Sequence, residues 1–580
     1  MSRRGGATHV VTTTRKYKNK VYRTHLLRRS YREDGKVKNE TVGNLSHLPD
    51  PVIDVVRRAL KGESLVPADR AFEIVEGGSR FHGHVDAVLT AMKRLDLPSL
   101  IASRASRQRD LVMAMVAARI LEPQSKLATT RWWSDTTLTE LLDVGDADED
   151  DLYEAMDWLV DRQPHIEKKL AARHLDENGL ALYDLTSSYF EGVTCPLAAF
   201  GHNRDGKKGK LQVNYGLLTN RQGIPVSVSV FEGNTGDPKT LLPQFDKVRE
   251  KFGIGRFVLV GDRGMLTQKQ VDVVQEMDGI DWIGALRPEA IRKLIEMGTI
   301  QMGLFDERNL FEFIHPDFPG ERLVACRNHE LAHRRAFKRQ SLLDATAGEL
   351  DKVRGMVARG RLRGQDKIGV RVGKVLNKYR MGKHFELDIR GDAFDFHIIE
   401  DKVTAEAALD GIYVIRTSLP AARMDAADTV RSYKLLSQAE RAFRSFKTVD
   451  LMVRPIRHRL EDRVRAHIFL CMLTYYVLWH MVEAWRPLLF ADEDQEAKAV
   501  RDPVAPAKRS EAAMRKVHTK RLDDGSPAHS VRTLLGHLAA IVRNTCRCCG
   551  AERSEATFDM DTTPDAKQKE ALELLKTIRM

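Results

Sequence analysis

Two aspartates in this chain each close an apolar run: Asp184 follows Leu180-Ala181-Leu182-Tyr183, and Asp262 follows Phe257-Val258-Leu259-Val260-Gly261. Short apolar runs of this kind read as strands, which places both carboxylates at strand C-terminal ends. In sheets with helical crossovers ligands gather at such ends, and two carboxylates there can hold a hard divalent cation through oxygen. An isolated strand-end aspartate also serves as a turn former or helix cap, so the pair matters more than its members. Past Asp262, Gly264 allows a sharp turn and Thr267 is placed to cap the next helix.

A third carboxylate lies far along the chain in the segment YKLLSQAERAFRSFK, where Tyr433, Glu440 and Lys447 recur at heptad spacing. Seven residues drift only ~20° around an α-helix, so a single helix here presents all three along one face. Arg444, one turn past Glu440, joins that face. Leu436, Ala439, Phe443 and Phe446 form the adjoining apolar stripe that docks the helix on a sheet. The polar face also has a plainer reading, a solvated surface with a Glu440–Arg444 ion pair worth about 0.3–0.5 kcal/mol.

These residues need elements to position them. From Gly179 to Pro288 the texture is three strands joined by short turns, such as Asn220-Arg221-Gln222-Gly223, followed by helix, strand, helix and strand. That order makes a mixed sheet flanked by helices and is similar to an RNase H-like core. The stretch from about Glu289 to Leu419, with basic helix-like and then strand-like segments such as FELDIRG and YVIRTSL, is too long for a loop and predicts an inserted subdomain. Helical pattern returns from Thr429 to Glu483. It also fills Val85 to His174, where Pro123 ends one helix and Ser125 caps the next.

The charge balance favours a polyanionic partner: 93 Lys and Arg against 81 Asp and Glu, net +12, with a pI near 9.3. Residues Arg15 to Lys38 read as a basic β-hairpin turning at Asp34-Gly35. Lys126 and Arg131, with Thr129 and Thr130, lie near the start of a helix suited to docking on DNA. Arg454, Arg457, His458, Arg459, Arg463 and Arg465 form a dense basic cluster suited to the DNA backbone. Arg359, Arg361, Arg363, Lys367, Arg371 and Lys374 could line another wall. The apolar segment Ile468 to Trp479 falls short of the ~18 residues of a spanning helix and reads as a buried core helix. No membrane partner is expected, and with no secretory signal a cytoplasmic location is. Six cysteines make no disulfide framework. Cys546, Cys548 and Cys549, with His529 and His537, lack the paired spacing of a zinc site.

The segments YDLTSSYFEG around Asp184 and VGDRG around Asp262 resemble the first two motifs of the DDE transposases of bacterial insertion sequences. Tyr433, Glu440 and Lys447 fit the third, the Tyr-x2-Arg-x3-Glu-x6-Lys signature of the insertion-sequence-four superfamily, whose catalytic core carries a β-rich insertion. The signature's arginine is Leu436 here, leaving Arg441 or Arg444 to supply that phosphate contact. The resemblance implies that Asp184, Asp262 and Glu440 are both catalytic and metal-binding, holding two Mg²⁺, with Mn²⁺ as a substitute. It implies DNA contacts by Tyr433, Arg444 and Lys447. The partners it implies are the double-stranded DNA of terminal inverted repeats and target, cut and rejoined by a DNA-bound homodimer.

The expected organisation is α/β and multidomain. A basic N-terminal hairpin region (1–75) precedes a helical DNA-binding domain (76–175). The RNase H-like catalytic core (176–288 and 421–485) is interrupted by the insertion subdomain (289–420), and a C-terminal helical region (486–580) follows, a candidate for dimerisation. Two other readings remain open: an RNase H-like nuclease without strand transfer, and a non-catalytic DNA-binding protein derived from a transposase.

Overall fold

The computed structural model describes residues 6–18, 20–63, 72–448, 450–492, 494, 500–548 and 557–579, apart from the side chain of Met302. Its contacts divide the chain into two units, residues 1–80 with 542–563 and residues 81–541 with 564–580.

The first unit opens on an antiparallel sheet of β1 (Ala7–Tyr17), β2 (Lys20–Glu33) and β3 (Lys36–Asn44), in that order. Asp34 and Gly35 both take left-handed backbone, φ 49° and 73°, and make the expected two-residue turn between β2 and β3. The basic segment is wider than the hairpin read from sequence, because a second turn at Lys18 (φ 44°) adds β1. The helix Asp50–Leu60 buries Ile53, and β4 (Phe72–Phe81) follows.

The second unit is built on β5 (Leu180–Tyr189), β6 (Gln212–Asn220), β7 (Pro225–Glu232), β8 (Phe257–Gly261), β9 (Ile280–Ala285), β10 (Leu310–Phe313), β11 (Arg322–Arg327) and, beyond a β12–β13 hairpin (Phe385–Arg390, Ala393–Ile398), β14 (Ile412–Thr417). One eight-stranded sheet runs β10-β11-β14-β9-β8-β5-β6-β7. β8 is parallel to both β5 and β9, and the other neighbours are antiparallel. This large mixed sheet fits an RNase H-like core. Tyr183 lies over Gly216 of β6, where an added Cβ would collide with the phenol ring.

Three sequence expectations change here. Residues 289–420 are not a separate subdomain throughout, since β10, β11 and β14 are strands of the central sheet. Only the stretch between β11 and β14 has its own core, with Leu343, Leu350, Ile368, Val372, Phe385 and Phe394 at its centre. β5 does not stop at Asp184: it continues to Tyr189 because Thr186, Ser187 and Ser188 are buried in the sheet, Ser188 bonding the Tyr215 hydroxyl at 2.8 Å. The Tyr433–Lys447 segment is two helices, Ala426–Lys434 and Leu436–Lys447, broken at Leu435.

The helix Glu461–Ala484 is buried along most of its length, as its apolar run predicts, and no helix among the described residues is long and apolar enough to cross a membrane. It shares one core with Val88, Val116 and Leu159 of the preceding helices and with Leu534, Leu538, Ala571 and Leu575 of the C-terminal ones. The packing therefore draws no boundary at 175 or 485. The first unit is completed by β15 (Val542–Cys548) and β16 (Thr557–Asp561), in a sheet of order β16-β15-β4.

Inside the central sheet Arg416 of β14 is 5% exposed and donates from Nε at 2.6 Å to Glu321, which is 0% exposed at its side chain. Removing one partner of a buried pair strands the other charge and costs about 3–5 kcal/mol. Glu321→Ala should therefore lower the urea midpoint of the second unit by a corresponding amount, and an unchanged midpoint would show the pair to be dispensable.

Candidate active site

The parallel ladder of β5 and β8 pairs Leu180 with Val258 and ends with Tyr183 opposite Gly261. The next residue on each chain is an aspartate. Neighbouring strands lie ~4.8 Å apart, so Asp184 and Asp262 emerge beside each other. Leu182 and Val260 pack in one core with Val430 and Leu436. Side chains alternate along a strand, so Asp184 and Asp262, each two residues further on, face the same helices.

Those helices bring the other members. Ala439, Ala442, Phe443 and Phe446 are buried where the Leu436–Lys447 helix crosses β5 and β6, Phe443 meeting Tyr215 edge-on at 5.7 Å. That leaves Glu440 and Arg444 exposed along the helix. From the preceding helix the Tyr433 hydroxyl donates to Asp262 Oδ1 at 3.0 Å. Burial, then the Asp262 charge, raises the Tyr433 phenol above its ordinary value, so it stays a donor. A cleft of roughly 400 Å³ is lined by Asp262, Arg263, Tyr433 and Glu440, with Leu331 and Arg335 among its other walls.

Asp184 is half-buried and accepts from its neighbour Leu185 N at 2.8 Å. Burial holds its carboxyl up at about 7, with Asp262 and Glu440 adding repulsion while the Leu185 hydrogen bond and Arg204 act the other way. Three carboxylates thus act electrostatically on one place. Among the described residues no group of three His, Cys, Asp or Glu side chains already stands arranged to enclose an ion. The donors are all oxygens, and a divalent cation would relieve their repulsion. That chemistry suits Mg²⁺ or Mn²⁺.

The other residues singled out in the sequence are placed differently. Lys447, seven residues past Glu440 on the same helix, converges with Arg454 on Asp205, at 3.0 and 2.6 Å, and the Asp205 side chain is 2% exposed. Asp205 also accepts from Tyr189 N at 3.0 Å, tying the loop after β5 to the end of the Glu440 helix. Sequence reasoning missed Asp205, which in RDGKKGK looks like an ordinary turn residue. Arg457 pairs with Glu191 at 3.0 Å, Arg463 with Asp157 at 3.2 Å and Arg465 with Glu461 at 2.5 Å, so much of the basic cluster is neutralised. Burial pushes His458 down to about 3, which leaves its ring neutral at pH 7.

Ser125 caps the Lys126 helix as expected, accepting from Ala128 N at 3.2 Å. The helix turns Lys126 and Thr129 inward, however, and burial lowers Lys126 to about 7, so Lys126 is not presented to a duplex. Arg131 is exposed. Thr267 sits at the N-cap position but bonds the Gln270 side chain instead of the backbone, and Gly264 does not adopt left-handed backbone. Arg359, Arg361, Arg363, Lys367, Arg371 and Lys374 are exposed, but the contributions of their segment to the cleft include Leu331 and Arg335 and none of these six. Of the stand-ins for the missing signature arginine, Arg444 shares the Glu440 side while Arg441 lines a separate cleft. His529 and His537 stack on each other at 5.6 Å, Cys546 is buried in β15, and Cys549 lies outside the described residues.

Residues 195–477 match the transposase DDE domain, a stretch that holds Asp262 and Glu440 and begins after Asp184. Ahead of it, residues 10–68 match the N-terminal domain of IS1634 family transposases, and the two matches together support a DDE transposase of insertion sequences. Among solved structures, a piggyBac transposase synaptic complex with hairpin DNA is similar over 78% of this chain and 79% of its own, at 9% identity and a TM-score of 0.36, too slight a likeness to build on. No curated protein matches.

A carboxyl raised in the folded state adds stability that is full below its unfolded value near 3.8 and is lost as pH rises through about 7. Buried histidines such as His458 and His480, lowered to about 3, act in the opposite sense, so the test is a difference between proteins. In chelator, Asp184→Asn should melt progressively higher than wild type as pH rises from 5 to 8. Parallel melting curves against pH would mean that Asp184 ionises normally.

Proposed function

We propose that the protein is the transposase of an insertion sequence. In this reading it binds the terminal inverted repeats, hydrolyses a phosphodiester at each element end and joins the released 3′-hydroxyl to target DNA. The observation that carries it is the register of β5 and β8, which sets Asp184 beside Asp262 under the helix bearing Glu440. Asp184, Asp262 and Glu440 would hold two Mg²⁺, which supply the charge that activates the attacking oxygen and stabilises the leaving one.

The chain's own residues do the positioning. Tyr433 fixes one oxygen of Asp262 by its hydrogen bond. Lys447 and Arg454, clamped by Asp205, anchor the far end of the Glu440 helix to the loop after β5, so the third carboxylate keeps its height over the sheet. Arg263 and Arg335 line the cleft where the phosphates flanking the scissile bond would pass, and Arg444 follows Glu440 along its helix. Water serves as nucleophile in the first step and the freed 3′-hydroxyl in the second, so one site performs both. Joining two element ends to one target calls for two such sites, which makes a DNA-bound homodimer the working assembly.

The test is the full-length protein with Mg²⁺ and duplexes made from the DNA flanking its gene. Asp184→Asn, Asp262→Asn and Glu440→Gln should each lower cleavage and joining by about a thousandfold or more while leaving DNA binding in place. Cleavage by wild type without joining would make the protein a nuclease, and binding without cleavage would make it a non-catalytic DNA-binding protein.

A further inference from the structure

The Leu436–Lys447 helix has a second polar side. About 100° around the helix from Glu440, a cleft of roughly 810 Å³ is lined by Arg221, Lys434, Arg441 and Arg501, with Asn178 and Gln438 beside them. Its walls carry seven Arg and Lys against two carboxylates, Asp176 and Asp428. Three of those arginines are neutralised: Arg423 by Asp281, Arg431 by Asp428 at 2.7 Å, and Arg486 by Glu483. Arg221, Arg441 and Arg501 have no acidic partner among the described residues, and Lys434 spends its protons only on the carbonyls of Val504 and Ala505, at 3.2 and 3.5 Å. Three guanidinium groups therefore face one space with no acidic partner among the described residues, beside Lys434, on which the Asp502 charge acts.

The walls are held in place by packing. The β6–β7 turn bearing Arg221 presses on the helix so closely that a Cβ at Gly223 would stand 2.8 Å from Gln438 Cβ, and Gly223 takes φ 87°. This fixes Arg221 and Arg441 on adjoining walls. The Arg431 guanidinium donates to Arg501 O at 3.1 Å, bringing the chain at Arg501 against the same helices. Unpaired guanidinium groups held together in this way repel each other unless an anion joins them. Arginines interleaved with amide and hydroxyl side chains are the donor set that grips phosphodiester oxygens without reading bases.

We propose that this cleft holds the phosphate backbone of a DNA segment, a second contact surface on another side of the helix that carries Glu440. The inference rests on the reading of the chain as a DNA-cutting enzyme. It extends that reading by giving the DNA a non-catalytic hold at Arg221, Arg441 and Arg501. Because those groups touch phosphate and not the reacting atoms, the hold is independent of metal and of the three carboxylates.

The experiment measures the affinity of the full chain for a labelled duplex across a salt series, without divalent metal. Each phosphate contact contributes about 0.9 to the slope of log affinity against log salt. The triple variant Arg221→Gln, Arg441→Gln, Arg501→Gln should lose about 2–3 from that slope, whereas the triple Arg→Lys variant should keep it. Glu440→Gln should bind like wild type, which separates this claim from the catalytic one. If the Gln variant melts lower than wild type, Arg221→Gln with Arg441→Gln, both exposed side chains, should still lose about 2. An unchanged slope overturns the proposal. So does loss of inorganic pyrophosphate binding with DNA binding intact, which would make the cleft a small-anion site.

Discussion

Parallel pairing between β5 and β8 runs out at Tyr183 and Gly261, and each strand then delivers an aspartate to the same side of the sheet. Burial, with the repulsion of Asp262 and Glu440 added to it, raises the Asp184 carboxyl to about 7. The fold sustains that repulsion because the surrounding sheet is braced on both faces, by the core containing Tyr183, Phe245 and Trp282 on one side and by that of Leu182, Val260 and Val430 on the other. Remove the register and the site disperses; keep it, and a third carboxylate needs only a helix laid across β5.

That helix is held by three separate devices. Its apolar stripe is buried against the sheet, Tyr433 ties the preceding helix to Asp262, and Asp205 gathers Lys447 and Arg454 at the far end. The break at Leu435 separates the tyrosine's helix from the glutamate's. Tyr433 can therefore reach Asp262 directly without constraining how Glu440 approaches from the next helix. The same helix then borders two clefts, one in which Asp262 and Glu440 stand with Arg263 and Arg335, and a basic one around Arg441. A chain with net charge +12 gathers seven Arg and Lys along the second cleft, an arrangement suited to a partner that is itself a polyanion.

The apolar runs were legible because burial on both faces writes itself as continuous hydrophobic stretches, and the β8, β9 and Glu461–Ala484 elements followed directly from them. The extension of β5 was not, since Thr186 to Ser188 are polar residues satisfied inside the sheet. Leu435 and Leu436 are good helix formers, so nothing local marks the break between them. Lys126 sits where a capped helix starts, but which way that helix faces is a tertiary fact. Asp205 was invisible for a similar reason: its cationic partners, Lys447 and Arg454, lie more than two hundred residues away in sequence. Spacing carried the placing of Glu440, Arg444 and Lys447 on one helix and could not carry the contact of Lys447 with Asp205.

The central claim is shared coordination by side chains from β5, the end of β8 and the Glu440 helix. Crystals soaked in Mn²⁺ and measured for anomalous scattering address it directly. Density within about 2.0–2.3 Å of oxygens from both Asp184 and Asp262, with Glu440 reaching the same ion or a second one about 4 Å away, is the expected result. Manganese bound elsewhere, or held by one of these carboxylates without the others, would contradict it.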